Sequence, residues 1–257
     1  MSENKSGLYH EAMHTADEKK LMGDLVGAFE NSKLPLGARL QNFPRHVRRQ
    51  DISRFLTKWE LFKLALPVHG SVVECGVFAG GGLVAWMHFS SILEPLNHQR
   101  RIFGFDTFSG FPKLAPQDTS HGKSEHLKTG GLETNREIVD ELQELIALHD
   151  RNRPIGHLRK TELIVGDACQ TIPKFVEDHP HLLISLLYLD FDIYEPTMAA
   201  LKHFFPRVAK GGIVAFDELN CPEFPGETTA LLESFDLRKV ALRRLPYDPY
   251  ISYFVKE

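Results

Sequence analysis

The sequence is poor in the features that mark zinc-binding, secreted and membrane proteins. Its three cysteines, Cys75, Cys169 and Cys221, are far apart and form no CxxC motif, so a zinc site is not indicated, and Cys75 and Cys169 are expected to be buried thiols because they lie in or beside apolar strand-like runs. Residues 1–9 are polar and lack the apolar core of a signal peptide, and no run approaches the ~18 apolar residues of a membrane span. These absences predict a cytoplasmic protein without a membrane partner.

Basic charge and nucleotide-binding motifs are also scarce. Lysine and arginine total 30 against 34 aspartate and glutamate residues, and the resulting net charge of −4 argues against nucleic acid as the main partner. The glycines after the first predicted strand do not match GxGxxG, because Phe78 occupies the place of the second glycine. They do not match GxxxxGK[ST] either, because Gly82 and Leu83 replace its last two residues. A dinucleotide-dependent dehydrogenase and a phosphate-binding loop are therefore disfavoured.

What the sequence does contain is a regular alternation of strand-like and helix-like segments. From Ser71 onward, short β-branched runs alternate with amphipathic segments, which predicts an α/β protein whose parallel sheet has helices on both faces. Two β-like runs at 239–246 and 250–257 predict an antiparallel C-terminal hairpin at one edge. With 257 residues, 42% of them hydrophobic, the chain can bury a sizeable core.

The predicted organisation has three parts. Residues 1–66 form an N-terminal helical extension that includes a helix over residues 8–30, and residues 67–257 form the α/β domain. A polar section at about 110–157, rich in proline, glycine and histidine, contains one helix near residues 135–148. This section is expected to be either a lid over a ligand pocket or a flexible insertion.

Polar residues follow the predicted strands, at the edge where ligands bind in parallel sheets. Glu74 can bind a positively charged ammonium group, and Gly76 and Gly80 allow the backbone to approach a ligand closely. Asp106 is placed to accept hydrogen bonds from a ribose diol, and Asp167 can hold a ring amine. An adenosine that carries an amino acid satisfies all of these groups, and this is the outline of S-adenosylmethionine.

A second group of acids begins in the stretch LLYLDFDIYEP, where a hydrophobic strand ends in Asp190 and Asp192. Side chains alternate along a strand, so these two carboxylates are expected to share one face and to repel each other unless a cation binds. Asp190, with Asp217 and Glu218 after the adjacent strand, makes an all-oxygen ligand set that favours Mg²⁺ and leaves Asp192 as the general base. The alternative is that Asp192 caps the helix that begins near Pro196.

The motifs FDTFSGFP, GDA, LDFDIYEPTMAALKHFFPRVAKGGIVAFDELN and FPGET resemble those of the macrocin O-methyltransferase family, over about residues 70–235. The resemblance implies a class I methyltransferase fold, a Rossmann-like doubly wound sheet, and further cofactor contacts at Phe78, Ser109 and Ala168. It also implies a homo-oligomer that uses S-adenosylmethionine to methylate a sugar hydroxyl. The variant motifs are most similar to the branch that acts on nucleotide-linked 6-deoxyhexoses, such as rhamnose at its 3-hydroxyl. Glu218 stands where many members have a second aspartate.

The expected reaction uses Mg²⁺ to lower the pKa of the sugar hydroxyl, Asp192 to take its proton, and the cofactor site to hold the methyl group in line. Two alternatives remain open. A catechol-type O-methyltransferase would use the same metal and cofactor on a small phenol, and a non-catalytic interaction protein would keep only the fold. An aromatic-walled acceptor pocket would favour the phenol, whereas a basic groove for a diphosphate would favour the nucleotide sugar.

Overall fold

The computed structural model describes residues 15–135 and 137–257, so residues 8–14 of the first predicted helix lie outside it. The chain divides into two compact units, Met1–Arg54 and Phe55–Glu257. Each unit has its own secondary structure, and the candidate site is built entirely from residues of the second unit.

The first unit is helical in its described part, as expected for the N-terminal extension. Its helices are α1 (Ala16–Glu30), α2 (Leu36–Gln41) and the start of α3 (Arg49–Ala65). A capping box opens α1: the Thr15 hydroxyl accepts the N–H of Glu18 at 3.3 Å, and the Glu18 carboxylate accepts the N–H of Thr15 at 2.8 Å. The predicted end of the extension at residue 66 follows directly after α3, and the assignment of domains stays a prediction.

The second unit is built on a mixed sheet, and its seven strands in the described chain confirm the predicted fold class. The strands are β1 (Ser71–Cys75), β2 (Ile102–Asp106), β3 (Thr161–Val165), β4 (Ile184–Leu189), β5 (Val208–Phe216), β6 (Arg243–Arg244) and β7 (Ser252–Val255). Their order is β3-β2-β1-β4-β5-β7-β6. Strands β1 to β5 are parallel, and β7 pairs antiparallel with both β5 and β6. The C-terminal hairpin is present, although its first predicted run forms only the two-residue β6.

Helices cover both faces of the sheet, which makes it doubly wound. They are α4 (Gly81–Leu93), α5 (Pro116–Thr119), α6 (Glu137–Arg151), α7 (Ala168–Asp178), α8 (Tyr194–His203) and α9 (Gly226–Ser234). On one face, the end of α3 packs with α4 and α6 around Phe62, Trp86 and Tyr188. On the other face, α7, α8 and α9 pack around Phe175 and Phe204. Burial of each such large side chain contributes ~1.5–3 kcal/mol, so both faces hold the strands firmly in place.

The polar section at 110–157 is a structured part of the second unit. It contains α5 and α6, and α6 is the one helix predicted there. The Asp118 carboxylate in α5 accepts the N–H of Tyr194, the first residue of α8, at 2.8 Å. Lys113 forms an ion pair with Glu195 at 3.0 Å. These contacts attach the insertion to α8, so a merely flexible insertion is not supported, and its role as a lid stays a prediction.

Two expectations from composition can be compared with the structure. All three cysteines are free thiols: Cys75 and Cys221 are buried, and Cys169 is half-buried. Burial, helped by the nearby Asp167 carboxylate, raises the pKa of Cys169 to about 11, so this thiol is a weak nucleophile at neutral pH. No helix within residues 15–135 and 137–257 is long and apolar enough to cross a membrane.

Candidate functional site

The carboxyl ends of β1, β4 and β5 lie side by side because these strands are parallel neighbours. In the sheet register Cys75 is opposite Leu189, which is in turn opposite Phe216. The pairing continues one residue further, since the N–H of Asp190 donates to the Cys75 carbonyl at 2.7 Å and the N–H of Asp217 donates to the Leu189 carbonyl at 2.9 Å. The backbone therefore places the glycine loop after β1 next to the two acidic segments.

Two glycines in the loop between β1 and α4 have positive φ and no room for a side chain. Gly76 has φ 98°, and a Cβ there would lie 1.8 Å from the carbonyl oxygen of Asp190. Gly80 has φ 85°, and a Cβ there would lie 2.1 Å from the Leu142 side chain in α6. These glycines allow the loop to pass close to the first acidic segment and to the insertion. Their contact with a cofactor stays a prediction.

Asp106 organises this loop from the end of β2. One carboxylate oxygen accepts the N–H groups of Val77 and Phe78, both at 2.8 Å, and the other accepts the N–H of Phe108 at 2.7 Å. Hydrogen bonds to an ionised carboxylate are about twice as strong as neutral ones. Asp106 thus holds two loops together, a role that sequence analysis missed, and its predicted bond to a ribose diol is untested.

Glu74 is buried beneath the start of α4. Its Oε1 lies 3.5 Å from Nζ of Lys58, and that ammonium group stands 3.6 Å from the centre of the Tyr188 ring. Burial raises the pKa of Glu74 to about 7, and the positive charge of Lys58 acts in the opposite direction. A Cβ at Gly82 would lie 1.9 Å from Oε1 of Glu74. The carboxylate therefore contacts Lys58 and α4, and its predicted contact with an ammonium group of the cofactor stays a prediction.

The other predicted cofactor residues lie after β1, β2 and β3, on the same edge of the sheet. Phe78 is 41% exposed with φ 49°, and Ser109 is exposed in the loop after β2. Asp167 caps α7, because its carboxylate accepts the N–H of Cys169 at 2.9 Å, and Ala168 is the buried first residue of that helix. The structure brings these residues to one edge, and their contacts with S-adenosylmethionine remain predictions.

Asp192 does not lie on a strand, contrary to the alternation argument. β4 ends at Leu189, and Asp192 has φ 63°, in the left-handed region. The expectation that Asp190 and Asp192 share a face because they alternate along β4 is therefore wrong. The capping alternative is not supported either, because Ile193 occupies the N-cap position of α8. The side chain of Asp192 is buried beside the other acids, and its role as general base stays a prediction.

Glu227, at the start of α9, connects the two acidic segments. Its Oε1 accepts the N–H groups of Phe191 and Asp192 at 3.1 and 3.3 Å, and its Oε2 accepts the N–H of Glu218 at 3.3 Å. The side chain is fully buried. Burial, followed by the charges of three neighbouring aspartates, raises the pKa of Glu227 well above its usual range. Sequence analysis did not include Glu227 among the site residues, although the FPGET motif contains it.

Asp217 and Glu218 are completely buried at the end of β5, and the Tyr188 hydroxyl donates a hydrogen bond to Asp217. Within the described ranges, no group of three or more histidine, cysteine, aspartate or glutamate side chains is arranged to hold a metal ion. The chemistry of the predicted ligand set nevertheless fits a hard cation, because every donor is oxygen and two of the ligands, Asp190 and Asp217, are both close enough to Glu227 to raise its pKa.

Comparison with known proteins gives one matching family model. Residues 63–230 match the family described as Macrocin-O-methyltransferase (TylF). The chain is 28% identical over 160 residues to mycinamicin III 3''-O-methyltransferase of Micromonospora griseorubida, over 60% of this chain and 57% of that protein. The chain thus spans little more than half the length of this curated relative.

Solved structures are similar over a greater length. A crystal structure of CalS11, a calicheamicin methyltransferase, is 32% identical with a TM-score of 0.91 and covers 99% of both chains. An apo structure of CalS11, described as a TDP-rhamnose 3'-O-methyltransferase of calicheamicin biosynthesis, is 30% identical with a TM-score of 0.82 over 94% of this chain and 95% of that one. The O-methyltransferase NovP, at 20% identity and a TM-score of 0.56 over 80% of each chain, shares the fold.

Proposed function

Because the chain belongs to the macrocin O-methyltransferase (TylF) family, we propose that it transfers the methyl group of S-adenosylmethionine to a sugar hydroxyl in antibiotic biosynthesis. The observation that carries the proposal is the edge of the sheet, where the glycine loop after β1 lies beside the acidic segments after β4 and β5. The glycine loop can hold a cofactor, and the acidic segments supply carboxylates that can take a proton from a hydroxyl group.

The acceptor in this proposal is a nucleotide-linked 6-deoxyhexose such as dTDP-rhamnose, methylated at its 3-hydroxyl. Support comes from the likeness to CalS11, which is described as acting on TDP-rhamnose and which this chain matches over nearly its whole length. The relative named for mycinamicin III has a different acceptor and aligns with only 60% of this chain. The acceptor is therefore assigned by analogy with the more extensive match.

The proposal includes Mg²⁺, held by Asp190, Asp217 and Glu218. Several carboxylates in one buried corner repel one another, and a divalent cation would offset that repulsion. When bound, the cation would lower the pKa of a hydroxyl group that coordinates it. The all-oxygen donor set favours Mg²⁺ over zinc.

Particular residues of the chain have separate roles in the proposed reaction. The sugar oxygen attacks the methyl carbon, the bond from that carbon to sulfur breaks, and S-adenosylhomocysteine leaves. The proton of the hydroxyl passes to the carboxylate of Asp192. Asp106 keeps the glycine loop in position for the cofactor, so that the methyl group and the oxygen are held in line. The insertion, fixed to α8 by Asp118, excludes water from the acceptor.

An activity screen tests the proposal directly. Purified protein is incubated with S-adenosylmethionine, Mg²⁺ and a panel of nucleotide-linked deoxyhexoses, unlinked sugars and catechols, and the gain of one methyl group is followed by mass spectrometry. Methylation of dTDP-rhamnose is the expected result, and nuclear magnetic resonance of the product identifies the hydroxyl. Methylation of catechols alone would support the phenol alternative, and failure to bind S-adenosylmethionine in calorimetry would favour a non-catalytic interaction protein. Light scattering of the same sample tests the predicted homo-oligomer.

A further inference from the structure

We propose that Glu227 is a positioning residue that sets the relative placement of the two acidic segments by accepting backbone N–H groups from both. The inference rests on the proposed function, because it assigns Asp190, Asp217 and Glu218 to the cation and Asp192 to the proton. It adds a residue that touches neither substrate nor cofactor and acts through the loops that carry those acids.

The hydrogen bonds of Glu227 are distributed between the two segments. Oε1 receives the N–H groups of Phe191 and Asp192, in the loop after β4, and Oε2 receives the N–H of Glu218, after β5. Each of these loops carries two of the acids of the site. Because one rigid carboxylate group contacts both loops, the distance between them depends on its two oxygens.

The base of α9 holds Glu227 firmly in place. A Cβ at Gly226 would lie 2.2 Å from the Asp118 carboxylate and 2.5 Å from the backbone nitrogen of Tyr194. The first turn of α9 is thus in close contact with the insertion and with the start of α8. Glu227 itself is fully buried, so its carboxylate has no bulk water to replace the three N–H donors. Glu227 is therefore held in one position between the two loops.

A glutamine at position 227 could accept the N–H groups of only one of the two loops. Its amide has one oxygen that accepts and one NH₂ group that donates. If the oxygen faces Phe191 and Asp192, the NH₂ group faces the N–H of Glu218, and two donors then oppose each other. Glu227→Gln therefore preserves volume and hydrophobic packing while it disconnects one of the two loops.

The experiment compares Glu227→Gln with Glu233→Gln, a variant on the same helix whose exposed carboxylate accepts a hydrogen bond from the Tyr194 hydroxyl. Mn²⁺ binding is measured by electron paramagnetic resonance without any acceptor, S-adenosylmethionine binding by calorimetry, and kcat and KM with the accepted sugar. For Glu227→Gln we expect Mn²⁺ affinity and kcat to fall by about 10–100-fold, the range found when a supporting hydrogen bond behind metal ligands is lost. Cofactor affinity and KM should change by less than about twofold, and Glu233→Gln should match the wild type in every measurement.

The outcomes separate this inference from the proposed function. A folded Glu227→Gln protein with wild-type Mn²⁺ affinity and kcat overturns the inference and leaves the proposed function intact. A wild type that neither binds Mn²⁺ nor methylates any sugar overturns the proposed function and the inference with it. If Glu227→Gln does not fold, Glu227→Asp, which keeps the charge but is shorter by one methylene, is measured in the same way. If neither variant folds, Glu227 is a purely structural residue and the inference is wrong.

Discussion

At the scale of single residues, three carboxylates accept hydrogen bonds from backbone N–H groups of the loops around them. Asp106 and Glu227 each accept three N–H groups from two different loops, and Asp118 accepts two from the insertion and α8. An N–H group that is left unsatisfied inside a protein costs ~1–3 kcal/mol. Loss of one of these carboxylates is therefore expected to loosen a whole loop and not a single contact.

Asp106→Ala tests this expectation on the cofactor side. The variant frees three N–H groups of the loops after β1 and β2, so we expect the affinity for S-adenosylmethionine to fall by ~1.5–3 kcal/mol, measured by calorimetry. Asp236→Ala is the control, because the Asp236 carboxylate bonds only to Arg238 among the contacts described and lies outside the sheet edge. Equal affinities in the two variants would remove Asp106 from the cofactor site.

Asp192→Asn and Asp190→Asn separate the proton acceptor from the cation ligand. We expect Asp192→Asn to lower kcat by ~10²–10⁴, the usual range for loss of a positioned base, with Mn²⁺ and cofactor binding nearly intact. Asp190→Asn should instead raise the Mg²⁺ concentration needed for half-maximal rate. Chelation with EDTA should inactivate the wild type, and added Mg²⁺ should restore it. Full activity of Asp192→Asn, or of the wild type after exhaustive chelation, would contradict this division of roles.

At the scale of helices and strands, the sequence pattern predicts the elements that neighbouring residues form, but it does not predict contacts between residues that are far apart in the sequence. Alternating strand-like and helix-like segments predict the parallel sheet, and adjacent strand ends bring Asp190 near Asp217 as expected. Glu227 lies 35 residues from its partner Asp192, and Asp118 lies 76 residues from Tyr194. No periodicity in the sequence encodes such pairings. The left-handed conformation of Asp192 could not be predicted either, because aspartate can adopt both this conformation and the extended one, and the local sequence does not decide between them.

Lys160 provides a test of how a strand and a helix are joined. It lies just before β3, is buried, and donates a hydrogen bond to the Ser90 hydroxyl in α4. Burial lowers the pKa of Lys160 to about 8, while the charge of Glu94 opposes this shift. Between pH 8 and the unfolded value of 10.5, the unfolded chain keeps a proton that the folded protein has lost. The contribution of Lys160 to the free energy of unfolding therefore rises with pH across this window.

Lys160→Met should remove that rise. The free energy of unfolding of the wild type minus that of Lys160→Met, measured with urea, should be larger at about pH 10 than at about pH 7.5. Lys239→Met, at an exposed position, serves as the control. Its free energy of unfolding should differ from that of the wild type by the same amount at both pH values. A wild type and Lys160→Met protein that respond identically to pH would mean that Lys160 keeps its proton in the folded state.

At the scale of the whole second unit, the sheet is completed by a strand from the end of the sequence. β7 lies between β5 and β6, with Phe254 opposite Val214 of β5. The Phe254 ring packs against Phe235 at 5.2 Å and stacks on Phe216 at 6.5 Å between ring centres. β7 is thus part of the core that supports β5, the strand that Asp217 and Glu218 follow.

Phe254→Ala tests this dependence. We expect a loss of ~3–5 kcal/mol in the free energy of unfolding, the usual cost of removing a buried phenylalanine ring, measured by urea denaturation. Leu242→Ala is the matched control, because Leu242 precedes β6 and is exposed. If the free energy of unfolding falls by the same small amount in both variants, β7 does not support the sheet in the way that its packing indicates.

The position of β7 also determines what a ribosome exposes while it makes this protein. All five parallel strands leave the exit tunnel before residues 252–255, so for that interval the outer edge of β5 has no neighbour. The second half of β5 is Ile213–Phe216, an apolar run whose N–H and C=O groups on the side away from β4 are then unpaired. An unpaired apolar edge is a template for another chain. Until β7 pairs with β5, a partly folded chain therefore exposes an edge to which another copy can bind, and this interval favours aggregation.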